Sequence, residues 1–333
     1  MIIGLTYDLR SEYLKEGFSE EETAEFDKEE TIAGIEEALN QLGYNTDRIG
    51  HARQLIGRLA HGDRWDMVFN ICEGLYGIGR EAQVPAILDA YNIPYTFSDP
   101  MVLSLTLHKA MTKRVVRDAG IATPDFALVE TPGDIDKVSL PYPLFVKPNA
   151  EGTGKGIDAT SKVSNRKELE TTCHSLLPKY KPGLIVETFL PGREFTVAIA
   201  GTGEKAHSLG VMEVMFTSKA EAHGYSYLNK EDYKVRVDYR IIKDDLAEKC
   251  ASVALAAWRS LTCRDAGRVD LRLDENGIPG FIEVNPLAGL NPIHSDLPII
   301  CLIQGIPFIE LIRMIMESAM QRLSLPETKQ SRG

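Results

Sequence analysis

Apolar positions recur along this chain with two spacings. Ile32, Ile35, Leu39 and Leu42 fall three or four apart, which stacks them on one helical face, and Gly43 is placed to end that helix. Short apolar runs flank it. Ile2 to Thr6 and Met67-Val-Phe-Asn-Ile71 suit strands, a helix is predicted over Val84 to Tyr91, and Ile93-Pro-Tyr-Thr96 follows. This alternation predicts an open βαβ domain over residues 1–98. A second unit, 99–183, is predicted from a helix over Leu105 to Ala119, the loop Gly120 to Pro124 and a strand Leu144 to Lys147. A third, 184–322, holds strands Leu184 to Glu187 and Glu194 to Ile199 and a helix Leu246 to Leu261. It ends in the strand pair Arg268 to Leu273 and Gly280 to Asn285, joined by the turn Asp274-Glu-Asn-Gly277. The fold class is α/β, and the polar tail 323–333 is expected to be disordered.

Composition narrows the partners. At 333 residues and 44% hydrophobic, the chain has material for two or three cored domains. A net charge of −11 argues against nucleic acid or an anionic membrane as partner, since both select a basic face. No apolar run approaches the roughly 18 residues of a membrane span. The N-terminus lacks the basic region and cleavage site of a signal peptide. The five cysteines, Cys72, Cys173, Cys250, Cys263 and Cys301, are scattered without metal-ligand spacing and read as reduced core residues of a cytoplasmic protein. The acidic run between Glu16 and Glu30 reads first as a solvated loop or helix face, and second as an active-site loop.

Three constellations carry candidate chemistry. Glu283 and Asn285 are two apart on one strand and so share a face, which Asp270 reaches from the partner strand. Such hard oxygen donors suit Mg²⁺ with phosphate; the alternative is an exposed sheet face meeting water. Lys147-Pro-Asn-Ala-Glu-Gly-Thr-Gly-Lys-Gly156 ends a strand in a glycine-rich loop whose N–H groups suit phosphate oxygens. It lacks the Walker A order and the Rossmann spacing, and a plain surface turn is the alternative. Ile185 to Thr196 carries Glu187 and Glu194 around a short linker that suits an adenine edge and a ribose, or an ordinary hairpin.

Taken with Asn92-Ile-Pro-Tyr-Thr-Phe-Ser-Asp99, Leu107-His-Lys109 and Gly267-Arg-Val-Asp270, these motifs resemble the ATP-grasp superfamily, and D-alanine–D-alanine ligases in particular, over residues 65–320. The resemblance implies a two-lobed ATP-grasp fold behind the N-terminal domain. It implies an ADP-forming ligase that makes an amide through an acyl phosphate, with ATP and Mg²⁺ as cofactors, two ions in number, and Mn²⁺ as a substitute. By it, Lys109 and Lys147 hold the phosphates; Glu151, Gly152, Thr153, Gly154 and Gly156 form a lid. Glu187, Thr188, Phe189 and Leu190 border adenine, and Glu194 takes ribose. Lys230 reaches the γ-phosphate. Arg268 and the Gly289 N–H stabilise the tetrahedral intermediate, and Asp270, Glu283 and Asn285 hold metal. Small amino acids are the implied substrates, D-alanine first among them, with a cell-wall role and a homodimer. Rival readings are an enzyme that modifies a peptide or protein terminus, and a nucleotide-binding regulator without catalysis.

The chain departs from the family pattern on its substrate side. Tyr7-Asp-Leu-Arg10 stands where a Gly-Gly-x-Ser-x-Glu signature is usual, and Cys72-Glu73-Gly74 replaces a His-Gly. Glu73 is thereby a candidate substrate-binding residue. Ser295 is followed by Asp296 instead of an apolar residue, in a segment one residue longer. Asp296 either caps a helix or meets a basic second substrate.

Overall fold

The computed structural model describes residues 1–217 and 233–324. Lys230 and most of the polar tail lie outside the described residues. Strands β1 (Ile2–Thr6), β2 (Asn45–Gly50) and β3 (Met67–Asn70) form a parallel sheet in the order β2-β1-β3. The helix Glu29–Gln41 buries Ile32, Ile35 and Leu39, as its periodicity requires, and Gly43 leaves it at φ +89°. β2 and the helix Ala52–Ala60 were not expected from the pattern. Asn45-Thr-Asp-Arg is polar because β2 is an edge strand with only its last two residues buried. Ile93 to Thr96 contributes a single bridge, Val68 to Tyr95, and is no full strand.

The expected helix from Leu105 to Ala119 is two helices, Pro100–Leu107 and Lys109–Asp118. The chain turns at His108, whose Nδ1 accepts from the Met111 N–H at 3.2 Å and caps the second helix. A second, antiparallel sheet follows from β4 (Phe126–Val129), β5 (Leu144–Pro148), β6 (Lys162–Val163) and β7 (Leu184–Thr188), ordered β4-β7-β5-β6. β7 was expected to open the third unit; its pairing with β4 and β5 places it in the second sheet instead.

The third sheet is built from β8 (Glu194–Ala200), β9 (His207–Phe216), β10 (Val237–Ile242), β11 (Ala266–Leu273) and β12 (Pro279–Asn285), in the order β10-β9-β8-β11-β12. The helix Asp245–Ser260 packs on one face through the fully buried Trp258. On the other face, the helices Asp296–Ile303 and Phe308–Arg322 continue one apolar core into the first sheet, joining Ile300 and Ile315 with Ile3, Leu39 and Phe69. Asp265 fastens this joint: it accepts from the Phe97 N–H at 2.7 Å and pairs with Arg322 at 2.8 Å. The second sheet keeps its own core around Leu144, Val146 and Leu184. The first and third sheets therefore share one core, and the second sheet is a separately cored lobe. All five cysteines are free and buried. Among the described residues, no single helix is long and apolar enough to cross a membrane.

Candidate active site

The floor of the site is the β11–β12 ladder. Asp270 lies opposite Glu283 and Arg268 opposite Asn285, so alternation brings all four to one face. This face is not an open sheet surface, because it lines two adjoining cavities. Asp270 accepts from the Thr196 hydroxyl at 2.9 Å and pairs with Arg268, while Glu283 lies 3.5 Å from the Lys109 ammonium. Arg268 is buried; burial works against its charge, but Asp270 and Asp296 outweigh that and keep it protonated. The two carboxylates and the Asn285 amide are a hard-oxygen set of the kind a divalent cation takes alongside phosphate.

One cavity runs between the second and third sheets. Phe145, Ile157, Phe189, Leu190 and Ile282 give it apolar walls, and Thr188, Glu194 and Lys147 give it polar edges. Phe145 and Phe189 stack at 6.3 Å, with the Lys162 ammonium 4.3 Å and the Arg272 guanidinium 4.8 Å from the Phe189 ring. A planar ring fits such a slot. Glu187 does not simply offer its carboxylate to this slot. Its side chain turns inward, 2.9 Å from Lys113 and 3.1 Å from Lys147. Burial alone raises a carboxyl, yet the two ammoniums hold Glu187 below its usual range. Burial brings Lys113 down to about 8, whereas Lys147 stays above its ordinary value because Glu187 and Glu283 outweigh its desolvation. Lys113 escaped the sequence reading; its only signal was its place one helical turn after Lys109.

The glycine-rich loop is clasped rather than free. Lys109 Nζ donates to the Glu151 carbonyl at 2.6 Å, and Arg80 donates to the Ala150 carbonyl at 3.0 Å. Glu25 accepts from the Gly152 N–H at 2.7 Å and pairs with Arg80 at 3.0 Å, with Lys155 at 3.6 Å. A Cβ at Gly152 would lie 2.6 Å from Glu25 Oε1, so a side chain there would push the Glu25 carboxylate from its present place. Thr153, Gly154 and Gly156 turn the loop with φ of +49°, +75° and +69°. The expectation of a solvated acidic run therefore fails at Glu25, although Glu20, Glu21 and Glu22 are exposed.

The second cavity, about 350 Å³, lies between the N-terminal domain, the glycine-rich loop and the segment after Asn285. Asp27, Glu73 and Glu81 line one side; Gly289, Ser295 and Asp296 line another. It shares Lys109, Glu151 and Glu283 with the first cavity. A Cβ at Gly289 would come within 2.8 Å of the Ser295 hydroxyl, so its backbone sits close to that side chain. Ser295 holds the helix-capping position. Asp296 is the first helical residue and makes no cap; its buried carboxylate lies 3.8 Å from Arg268. The capping reading of Asp296 is thereby corrected.

Known proteins resemble this chain in sequence and in fold. The family described as D-ala D-ala ligase C-terminus matches residues 115–317. The D-alanine–D-alanine ligase of Bordetella petrii is 31% identical over 296 residues, covering 88% of this chain and 87% of the relative. That of Aquifex aeolicus is 31% identical over 287 residues, covering 86% and 93%. The crystal structure of D-alanine–D-alanine ligase from Bacillus anthracis complexed with ATP superposes with a TM-score of 0.73 at 23% identity, covering 97% of this chain and 99% of that one, which establishes the fold. By its sequence and its architecture, this chain belongs to the D-alanine–D-alanine ligase family of ATP-dependent, ADP-forming ATP-grasp ligases.

Proposed function

We propose that this ligase joins two small amino acids, with D-alanine or a close analogue among them. The observation that carries this reading is the meeting of a ring-binding slot and a 350 Å³ cavity at Lys109, Glu151 and Glu283. That volume suits two small substrates better than the end of a folded protein. Adenine lies against Phe189 and Leu190, ribose at Glu194, and the phosphates between Lys109, Lys147 and the lid. Asp270, Glu283 and Asn285 would hold Mg²⁺, in two ions, for which Mn²⁺ would substitute. When bound, the metal neutralises phosphate charge.

The chemistry follows from the poor electrophilicity of a carboxylate. Its oxygen takes the γ-phosphoryl group of ATP, releasing ADP and leaving an acyl phosphate. The amine of the second amino acid adds to that carbonyl. Arg268 and the Gly289 N–H stabilise the oxyanion that develops, and Lys230 assists at the γ-phosphate. The amine loses its proton, the C–O bond to phosphate breaks, and the amide remains. Glu25, Arg80 and Lys109 keep the lid over the centre and exclude water, which would otherwise hydrolyse the intermediate. The family resemblance also favours a homodimer. The test is ADP and phosphate release with single amino acids and pairs, with product mass measured. A dipeptide product containing D-alanine supports the reading; release only with a peptide or protein acceptor overturns it.

A further inference from the structure

Seven carboxylates line the second cavity against four lysine and arginine side chains. Most of these acids are matched. Glu25 pairs with Arg80, Glu151 with Lys155, Glu283 with Lys109, and Asp296 with Arg268. The three on the N-terminal wall are not. Asp27, Glu73 and Glu81 make no ion pair among the described residues, although the Arg80 guanidinium acts on Glu73 and Glu81 from nearby; Arg10 beside them is taken by Glu20, and Lys28 on the same rim is exposed. Glu81 is only 6% exposed and carries neither hydrogen bond nor ion pair, yet it faces the cavity. The Thr153 hydroxyl, on the lid side of the same cavity, is buried and also lacks a hydrogen-bond partner.

Glu81 is buried and Asp27 and Glu73 are half-buried, and carboxyls so placed without a cationic partner are costly to ionise. Burial pushes Glu73 well above its usual range and brings Asp27 and Glu81 up to about 7. A nucleotide with its divalent ions adds little net charge, so the excess remains when ATP binds. The ammonium of a simple amino acid answers one carboxylate and leaves the others.

We propose that the wall formed by Asp27, Glu73 and Glu81 receives an amino acid with a second cationic group, a short diamino acid. This rests on the reading of the cavity as the substrate site and names the substrate class. In the bound state the α-ammonium and the side-chain ammonium divide the wall between them, and the Thr153 hydroxyl gains a partner.

The experiment compares isosteric pairs of either chirality: 2,3-diaminopropionate against 2-aminobutyrate, and 2,4-diaminobutyrate against norvaline. Phosphate release is measured with ATP and Mg²⁺, alone and with alanine as partner. The expected result is a kcat/KM at least tenfold higher for the diamino member, with that ratio falling toward one in Glu81→Gln and Glu73→Gln, each checked for folding by its melting curve. A ratio of one or less in the wild type, with alanine turned over normally, overturns the inference and leaves the ligase reading standing. If no amino acid releases phosphate, the small-substrate reading fails. Calorimetry on the Mg²⁺–ADP-loaded protein then decides the wall: tenfold tighter binding of diaminobutyrate than norvaline supports it, and equal binding overturns it.

Discussion

The Glu25 carboxylate accepts a 2.7 Å hydrogen bond from the Gly152 N–H, across 127 positions of sequence. The acidic segment of the N-terminal domain thereby holds the glycine-rich loop of the second lobe, with Arg80 and Lys155 compensating the charge. Burial raises this carboxyl, but Arg80 and Lys155 outweigh it and keep it below its usual range. Glu25→Gln keeps the shape and removes the charge. Charge-assisted hydrogen bonds contribute about 1.5–3 kcal/mol, so kcat/KM for ATP should fall by roughly ten- to a hundredfold. Unchanged kinetics would show that the clasp does not govern lid closure.

Asp270→Asn and Glu283→Gln each remove a negative ligand from the proposed metal site. Ligation should fall by at least about two orders of magnitude, and the Mg²⁺ concentration for half-maximal rate should rise. Full turnover by both variants at limiting Mg²⁺ sinks the assignment.

Asp296 faces Arg268 and not its own helix N-terminus. Asp296→Asn therefore leaves the helix capped as before and releases one partner of Arg268. Thermal stability should shift little, while kcat falls more than KM rises, if Arg268 acts on the transition state as proposed. A rise in KM alone would instead make Asp296 a direct contact of the second substrate.

Lys113 is fully buried against Glu187 and also donates to the Phe281 carbonyl at 3.2 Å. Lys113→Met fills the space and leaves Glu187 with Lys147 alone. Removing one partner of a buried pair costs about 3–5 kcal/mol, so the urea midpoint should drop markedly. A midpoint equal to wild type would mean that Lys147 suffices for Glu187.

Glu81 stands at about 7 in the folded chain against 4.5 in its ordinary state. Between those values the folded protein holds a proton that the unfolded chain has released. Its contribution to stability therefore falls as pH rises through that window. Glu81→Gln removes the penalty. Relative to wild type, the variant should gain up to about 3 kcal/mol between pH 4 and pH 8. An identical difference at both pH values refutes the account.

The sequence by itself determined most of the local elements and which side chains share the β11–β12 face. Ile32, Ile35 and Leu39 define a helix face, and the alternation in Arg268 to Leu273 and Gly280 to Asn285 places Asp270 with Glu283. Both depend on backbone periods that neighbouring residues report directly. The tertiary structure alone decided that β7 joins the second sheet, that the helix breaks at His108, and that Lys113 locks Glu187. It also separated like from like within the acidic run, leaving Glu20 to Glu22 in water while turning Glu25 onto the lid and Asp27 into the cavity. The physical reason is desolvation: a carboxylate has the same local pattern wet or dry, and only the packing of distant segments removes its water and selects its partner.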